Sequence, residues 1–204
     1  VKKDTIQLII TVAVTLIIIL LINRFLISNY TVHGESMYPT FEDEDRVIIS
    51  KISKSLDHLD RGDVIIFHAN EKKDYIKRLI GKPGDEVRYR SDQLYVNGNE
   101  VKEPYLKENK ENAITQLTED FKVSDVKGSN GNLKIPEDKY LVLGDNRQNS
   151  IDSRKPVVGL VSDEQMVGKV VLRYWPLSDF TIKFNPGSVM LPGFFWLQWY
   201  KLLL

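Results

Sequence analysis

At 204 residues the chain has room for one sizeable core or two small ones. Its 28 basic and 28 acidic residues cancel, so bulk charge points to neither a nucleic-acid partner nor an acidic one. The absence of cysteine excludes disulfides, thiolate nucleophiles and cysteine-bound metals, and His33, His58 and His68 form no pair at metal-ligand spacing, so no metal or cofactor is expected.

Lys2 and Lys3 precede an uncharged run from Ile6 to Ile22 whose polar members are Gln7, Thr11 and Thr15. As a helix this run measures about 25 Å, short of a hydrocarbon core of about 30 Å. Extension through Phe25, Leu26 and Ile27 closes the gap, with Arg24 snorkelling toward head groups. A cleaved signal peptide would end its apolar region in a small-x-small site, whereas Asn23-Arg-Phe-Leu-Ile-Ser28 follows here. A buried core helix would carry polar residues at 3.6 spacing, which the run lacks. Residues 1–27 are therefore expected to be a tail and a retained single transmembrane anchor. Lys2 and Lys3 place the N-terminus in the cytoplasm and the remainder outside the membrane, with Asp4 and Arg24 weighing against that bias.

From Thr31 onward the pattern is strand-like and rich in turns. Short apolar runs at Arg46–Ser50, Val64–Phe67 and Tyr75–Ile80 read as strands, the second led in by Asp60-Arg-Gly-Asp63 and the third closed by Gly81-Lys-Pro-Gly-Asp85. Glu86–Tyr89 and Gln93–Val96 read as a hairpin pair, followed by a tight turn at Asn97-Gly98. Residues 102–132 turn polar with scattered apolar positions, as expected of a solvated inserted subdomain. Lys139–Leu143 and Met166–Trp175 are the last strands, separated by a loop from Gly144 to Arg154. The fold class expected is mostly β: a transmembrane helix followed by an extracytoplasmic antiparallel β-fold over 28–101 and 133–186. Residues 187–204 hold Phe194, Phe195, Trp196, Trp199 and Tyr200 around Pro192-Gly193. That is too short to span a bilayer and fits either an interfacial aromatic segment or a foreign extension after Gly187-Ser188.

One small nucleophile stands close behind the anchor, in Val32-His-Gly-Glu-Ser-Met-Tyr-Pro-Thr-Phe41. Pro39 has a fixed φ and biases Tyr38 toward extended geometry, so this stretch breaks any helix. A serine hydroxyl needs a base to take its proton. His33 lies three residues from Ser36, but Gly-Glu-Ser-Met lacks the second glycine of a nucleophile elbow, and a solvated or capping histidine explains it as well. Lys77 is the other candidate. In Tyr75–Ile80, alternation sets Tyr75, Lys77 and Leu79 on one face, so apolar neighbours would desolvate the ammonium and lower its pKa. A lysine snorkelling from a sheet edge into water fits the same residues.

Four stretches resemble the type I signal peptidases, the membrane-anchored serine/lysine proteases of bacterial export. They are Gly34-Glu-Ser-Met-Tyr-Pro-Thr40, Gly62-Asp-Val-Ile-Ile-Phe67, Tyr75-Ile-Lys-Arg-Leu-Ile-Gly-Lys-Pro-Gly-Asp85 and Gly144-Asp-Asn-Arg-Gln-Asn-Ser-Ile-Asp-Ser-Arg154. They occur in the family's order behind an anchor, and the short loops are similar to the Gram-positive form. The resemblance implies Ser36 as nucleophile, Lys77 as general base and Ser150 as the serine orienting the lysine amine. It further implies a structural ion pair of Asp152 with Arg154, with Arg78 as a neighbouring arginine of that network and Asp145 and Asn146 in the loop that holds these groups. Gly34 and Met37 flank the nucleophile on the substrate and oxyanion side. Where Gram-negative relatives carry an oxyanion-binding serine two residues before the nucleophile, this chain has Gly34. The implied partners are secretory preproteins with signal peptides and the lipid bilayer. A self-cleaving repressor-type Ser/Lys protease and a non-enzymatic anchored β-domain are the competing readings. The first would carry a DNA-binding domain in place of the anchor, and the second would normally have lost the serine or the lysine.

Overall fold

The computed structural model describes residues 2–51, 59–182 and 184, so His58 and the aromatic segment 187–204 lie outside the described residues. Helix α1 (Lys2–Phe25) leads through the single residue Leu26 into strand β1 (Ile27–Thr31). Side chains in α1 are described continuously only over residues 4–18, and among the described residues no helix is long and apolar enough to cross a membrane. Wherever they are described, the large apolar side chains from Ile6 to Leu20 are exposed, and they point in all directions around the helix.

Ten further strands follow. They are β2 (Arg46–Ser50), β3 (Val64–Asn70), β4 (Lys73–Gly81), β5 (Val87–Arg90), β6 (Gln93–Val96), β7 (Asn99–Val101), β8 (Phe121–Lys122), β9 (Lys139–Leu143), β10 (Val161–Ser162) and β11 (Met166–Trp175). Seven form one antiparallel sheet in the order β1-β2-β11-β3-β4-β9-β10, and four form a second in the order β7-β6-β5-β8. The fold is thus mostly β, built from antiparallel sheets.

The large sheet is covered on both faces, which is why β3 opens with four consecutive buried residues, Val64 to Phe67. Val64, Ile66 and Ile76 pack with Met37 and Phe41 on one side, while Ile65, Phe67 and Leu79 pack with Tyr140 and Val142 on the other. A third cluster, including Ile80, Val87, Leu94 and Leu141, joins the two sheets. Both hairpin corners of the second sheet use paired positive φ angles: Ser91 and Asp92 at 49° and 62°, then Asn97 and Gly98 at 52° and 81°. This backbone twist matches that of the flanking strands.

Residues 102–132 supply β8, which pairs with β5, and a short helix α2 (Lys107–Asn112). They also bury Leu106, Leu117, Val123 and Val126, so this polar stretch carries part of the core. The second sheet therefore draws strands from both sides of position 102.

Candidate active site

Strand β4 lies fifth among the seven strands of the large sheet. Lys77 lies just before the part of β4 that β9 covers, yet it is only 3% exposed, which removes the alternative of a lysine snorkelling into water. Its Nζ lies 2.7 Å from Ser36 Oγ, donates to the Ile76 carbonyl at 2.8 Å, and stands 5.2 Å from the centre of the Tyr75 ring. Burial lowers the Lys77 pKa from 10.5 to about 8, against the opposing pull of the Asp152 and Asp145 carboxylates. A substantial fraction of this amine is therefore neutral just above physiological pH, where it can accept a proton.

Ser36 begins a run of turns, and its Oγ faces a cleft of about 450 Å³ lined by residues 33–36, 74–77 and 148–151 with Tyr30 and Lys155. The preceding Gly34 has φ +83°, a conformation strained for any side chain although open space surrounds it. Its N–H is spent on Asp43 Oδ1 at 2.7 Å, so Gly34 brings no free donor to the oxyanion side. Met37 corrects the expectation for that side. The turn sends its side chain inward, where it is wholly buried beside Phe41 and Val32 rather than lining the cleft. His33 is exposed and reaches Glu44 at 3.7 Å; it makes no hydrogen bond to Ser36.

The loop after β9 closes the other wall. Asn146 donates its backbone N–H to the Ser36 carbonyl and its side-chain amide to the Glu35 carbonyl, both at 3.1 Å. Asp152 is fully buried and accepts from Gly144 N–H at 3.0 Å and from Arg154 at 2.9 and 2.7 Å. Burial pushes the Asp152 carboxyl up, but Arg154, Gly144 N–H and Ser150 outweigh it and hold the carboxyl below its ordinary range. Ser150 lies close enough to Asp152 to contribute to that shift. Its Oγ is nevertheless buried without a hydrogen bond of acceptable distance and angle, so the expected bond to the lysine amine is not made. Arg78 does not join Asp152 and Arg154. It faces Asp145 in a fully buried bidentate pair at 2.8 and 2.5 Å, and its remaining donors go to the backbone carbonyls of Gly62 and Phe184 and to Thr40 Oγ1.

Several contributors have no signal in the sequence pattern. Thr40 Oγ1 donates to Asp145, and Asn109 on α2 reaches both Tyr38 and Asp145. Arg147, quoted above only as part of a motif, is buried and holds the Gly144 carbonyl, Tyr89, Thr118 and Glu103 at 2.6–3.0 Å. Long-range pairs of this kind leave no periodicity to read.

Comparison with known proteins matches the arrangement. The family described as "Signal peptidase, peptidase S26" matches residues 5–175. Signal peptidase IB of Staphylococcus aureus (strain MRSA252) is 45% identical over 189 residues, covering 92% of this chain and 98% of its own. Signal peptidase I of Bacillus caldolyticus is 44% identical over 172 residues, covering 84% of this chain and 92% of its own. Among solved structures, a signal peptidase I from Enterococcus faecalis V583 superposes with a TM-score of 0.50 at 38% identity, over 54% of this chain and 95% of the other. With a family match across most of its length and a catalytic-type serine and lysine in hydrogen-bond contact, the chain belongs to the signal peptidases of the peptidase S26 family.

Proposed function

We propose that the protein is a membrane-bound endopeptidase that removes N-terminal signal peptides from exported preproteins, with Ser36 as nucleophile and Lys77 as general base. The observation that carries this reading is the 2.7 Å contact between Ser36 Oγ and an amine whose pKa burial has lowered to about 8. Neutral Lys77 takes the Ser36 proton as Oγ attacks the scissile carbonyl carbon. The tetrahedral intermediate collapses, and the protonated lysine gives its proton to the leaving amine of the mature protein. Lys77 then deprotonates a water that hydrolyses the ester and frees the signal peptide's carboxylate. The Ser36 N–H, which no described residue accepts from, supplies one oxyanion donor; with Gly34 engaged elsewhere, solvent supplies the other. Asp145 with Arg78, and Asn146 with the Ser36 and Glu35 carbonyls, hold the two walls in register, while Asp152 with Arg154 braces the loop that carries Ser150.

The substrate chain adds along β4. That strand pairs with β3 over Lys73–Arg78, but with β9 only over Arg78–Gly81, which leaves Asp74–Lys77 with one unpaired edge beside the cleft. The apolar surface of α1 is matched by lipid, with the N-terminus cytoplasmic and the catalytic domain outside. Only Leu26 separates α1 from β1, so the cleft works close to the bilayer surface, where signal-peptide cleavage sites emerge. In this organisation 1–27 is the tail and anchor, 28–101 and 133–186 the catalytic β-domain and 102–132 an inserted subdomain.

Incubating the detergent-solubilised protein with a preprotein should give a single cut after a small residue. kcat/KM should rise with pH along a limb near 8. Ser36→Ala and Lys77→Ala should each abolish the cut; processing that survives either substitution would remove the dyad.

A further inference from the structure

Asn109 sits on α2, outside the four stretches that carry the family resemblance, and its side chain bridges the two walls of the cleft. Its Nδ2 donates to the Tyr38 carbonyl at 2.9 Å and to the Asp145 carbonyl at 2.8 Å. Both acceptors are carbonyls, so only the amide nitrogen can occupy this position, and its two hydrogens serve one wall each. Tyr38 lies two residues beyond Ser36. Asp145 precedes Asn146, whose N–H holds the Ser36 carbonyl, and its carboxylate pairs with Arg78, the neighbour of Lys77 on β4.

The chain just before Asn109 packs on the same groups. The Tyr105 ring lies 3.9 Å from the Arg78 guanidinium carbon, and Glu103 accepts from Arg147, whose Nε holds the Gly144 carbonyl. Residues 103–109 thus touch the nucleophile turn, the strand bearing the lysine and the loop after β9.

We propose that Asn109 is a positioning residue for signal-peptide cleavage, tying the Ser36 turn to the 144–150 loop so that Ser36 Oγ and Lys77 Nζ stay in transfer distance. This rests on the Ser36–Lys77 reading above. Asn109 touches neither reacting atom and does not line the cleft, so it acts on the chemical step and not on substrate binding.

The test is steady-state cleavage of a preprotein by the full-length, detergent-solubilised enzyme and its variants, with thermal unfolding followed in parallel. Asn109→Ala removes both donors, and Asn109→Asp keeps the shape while setting a carboxylate against two carbonyls. Each should lower kcat on the order of tenfold to a hundredfold, the scale of an ångström-level misplacement, with KM within about twofold and cooperative unfolding retained. Glu111→Ala, on the same helix and paired only with Lys107, should keep wild-type kcat. Wild-type kcat in both Asn109 variants would overturn the proposal. So would a change confined to KM, which would make Asn109 a binding residue, or loss of cooperative unfolding in both, which would make it a folding residue. Ser36→Ala in the same series separates the two levels: activity there removes the dyad, whereas an inactive Ser36→Ala beside active Asn109 variants removes only the positioning role.

Discussion

The burial that would fit Lys77 for the proposed role of base is costly to the fold. The unfolded chain holds this amine at its ordinary pKa of 10.5, whereas burial brings it to about 8 in the folded state. Between those values the unfolded chain binds more protons, so folding stability rises with pH through the window and the full penalty applies below about pH 8. At 1.36 kcal/mol per pH unit the gap corresponds to about 3 kcal/mol. Lys77→Met should therefore be inactive yet more stable than the parent at pH 7, by about 1–3 kcal/mol in urea unfolding. The gain should shrink toward zero near pH 10, and a gain independent of pH would mean that charge burial is not its source. The alternation of Tyr75, Lys77 and Leu79 shows an apolar face in the sequence. It cannot show the tertiary packing around that face, which leaves Lys77 only 3% exposed although β9 does not pair with it.

At the scale of elements, the site is a junction of the turn after Gly34, strand β4 and the loop after β9, and Gly144 is where they touch. A Cβ at Gly144 would collide with Ser150 Oγ and with the Ser36 carbonyl oxygen, and the second is backbone that cannot rotate away. The Gly144 peptide is also gripped on both sides, by Asp152 at its N–H and Arg147 at its carbonyl. Gly144→Ala should push the two walls apart, lowering kcat by about a hundredfold and stability by about 1–3 kcal/mol. Preprotein turnover and urea unfolding measure the two effects, and wild-type values in both would show that the junction has slack. The strand positions were legible from local pattern, because alternation and turn residues act over a few neighbours. β1, β7, β8 and β10 were not, being short strands without a distinct apolar run. In the turn that carries Ser36, adjacent residues follow no period, so the sequence does not show that the Met37 side chain is buried while Ser36 Oγ faces the cleft.

On the scale of the whole molecule, an apolar helix and a charged β-domain meet with one residue between them. If lipid covers α1, one central lysine there should cost about 2.5–3.5 kcal/mol of insertion. Val14→Lys should accordingly lower the fraction of full-length protein that floats with phospholipid vesicles, while cleavage of a short soluble peptide stays within about twofold of the parent. Equal flotation of parent and variant would remove lipid as the partner of α1. The sequence by itself determined the β class, most strand positions, the apolar run and the residue types of the proposed dyad, since periodicity, turn chemistry and local motifs are short-range properties. Only the tertiary structure decided that Ser36 and Lys77 meet, that Arg78 answers Asp145 and that Asn109 bridges the walls. Those contacts join residues 36 to 71 positions apart, and which of them form depends on strand order and register, which no local window contains.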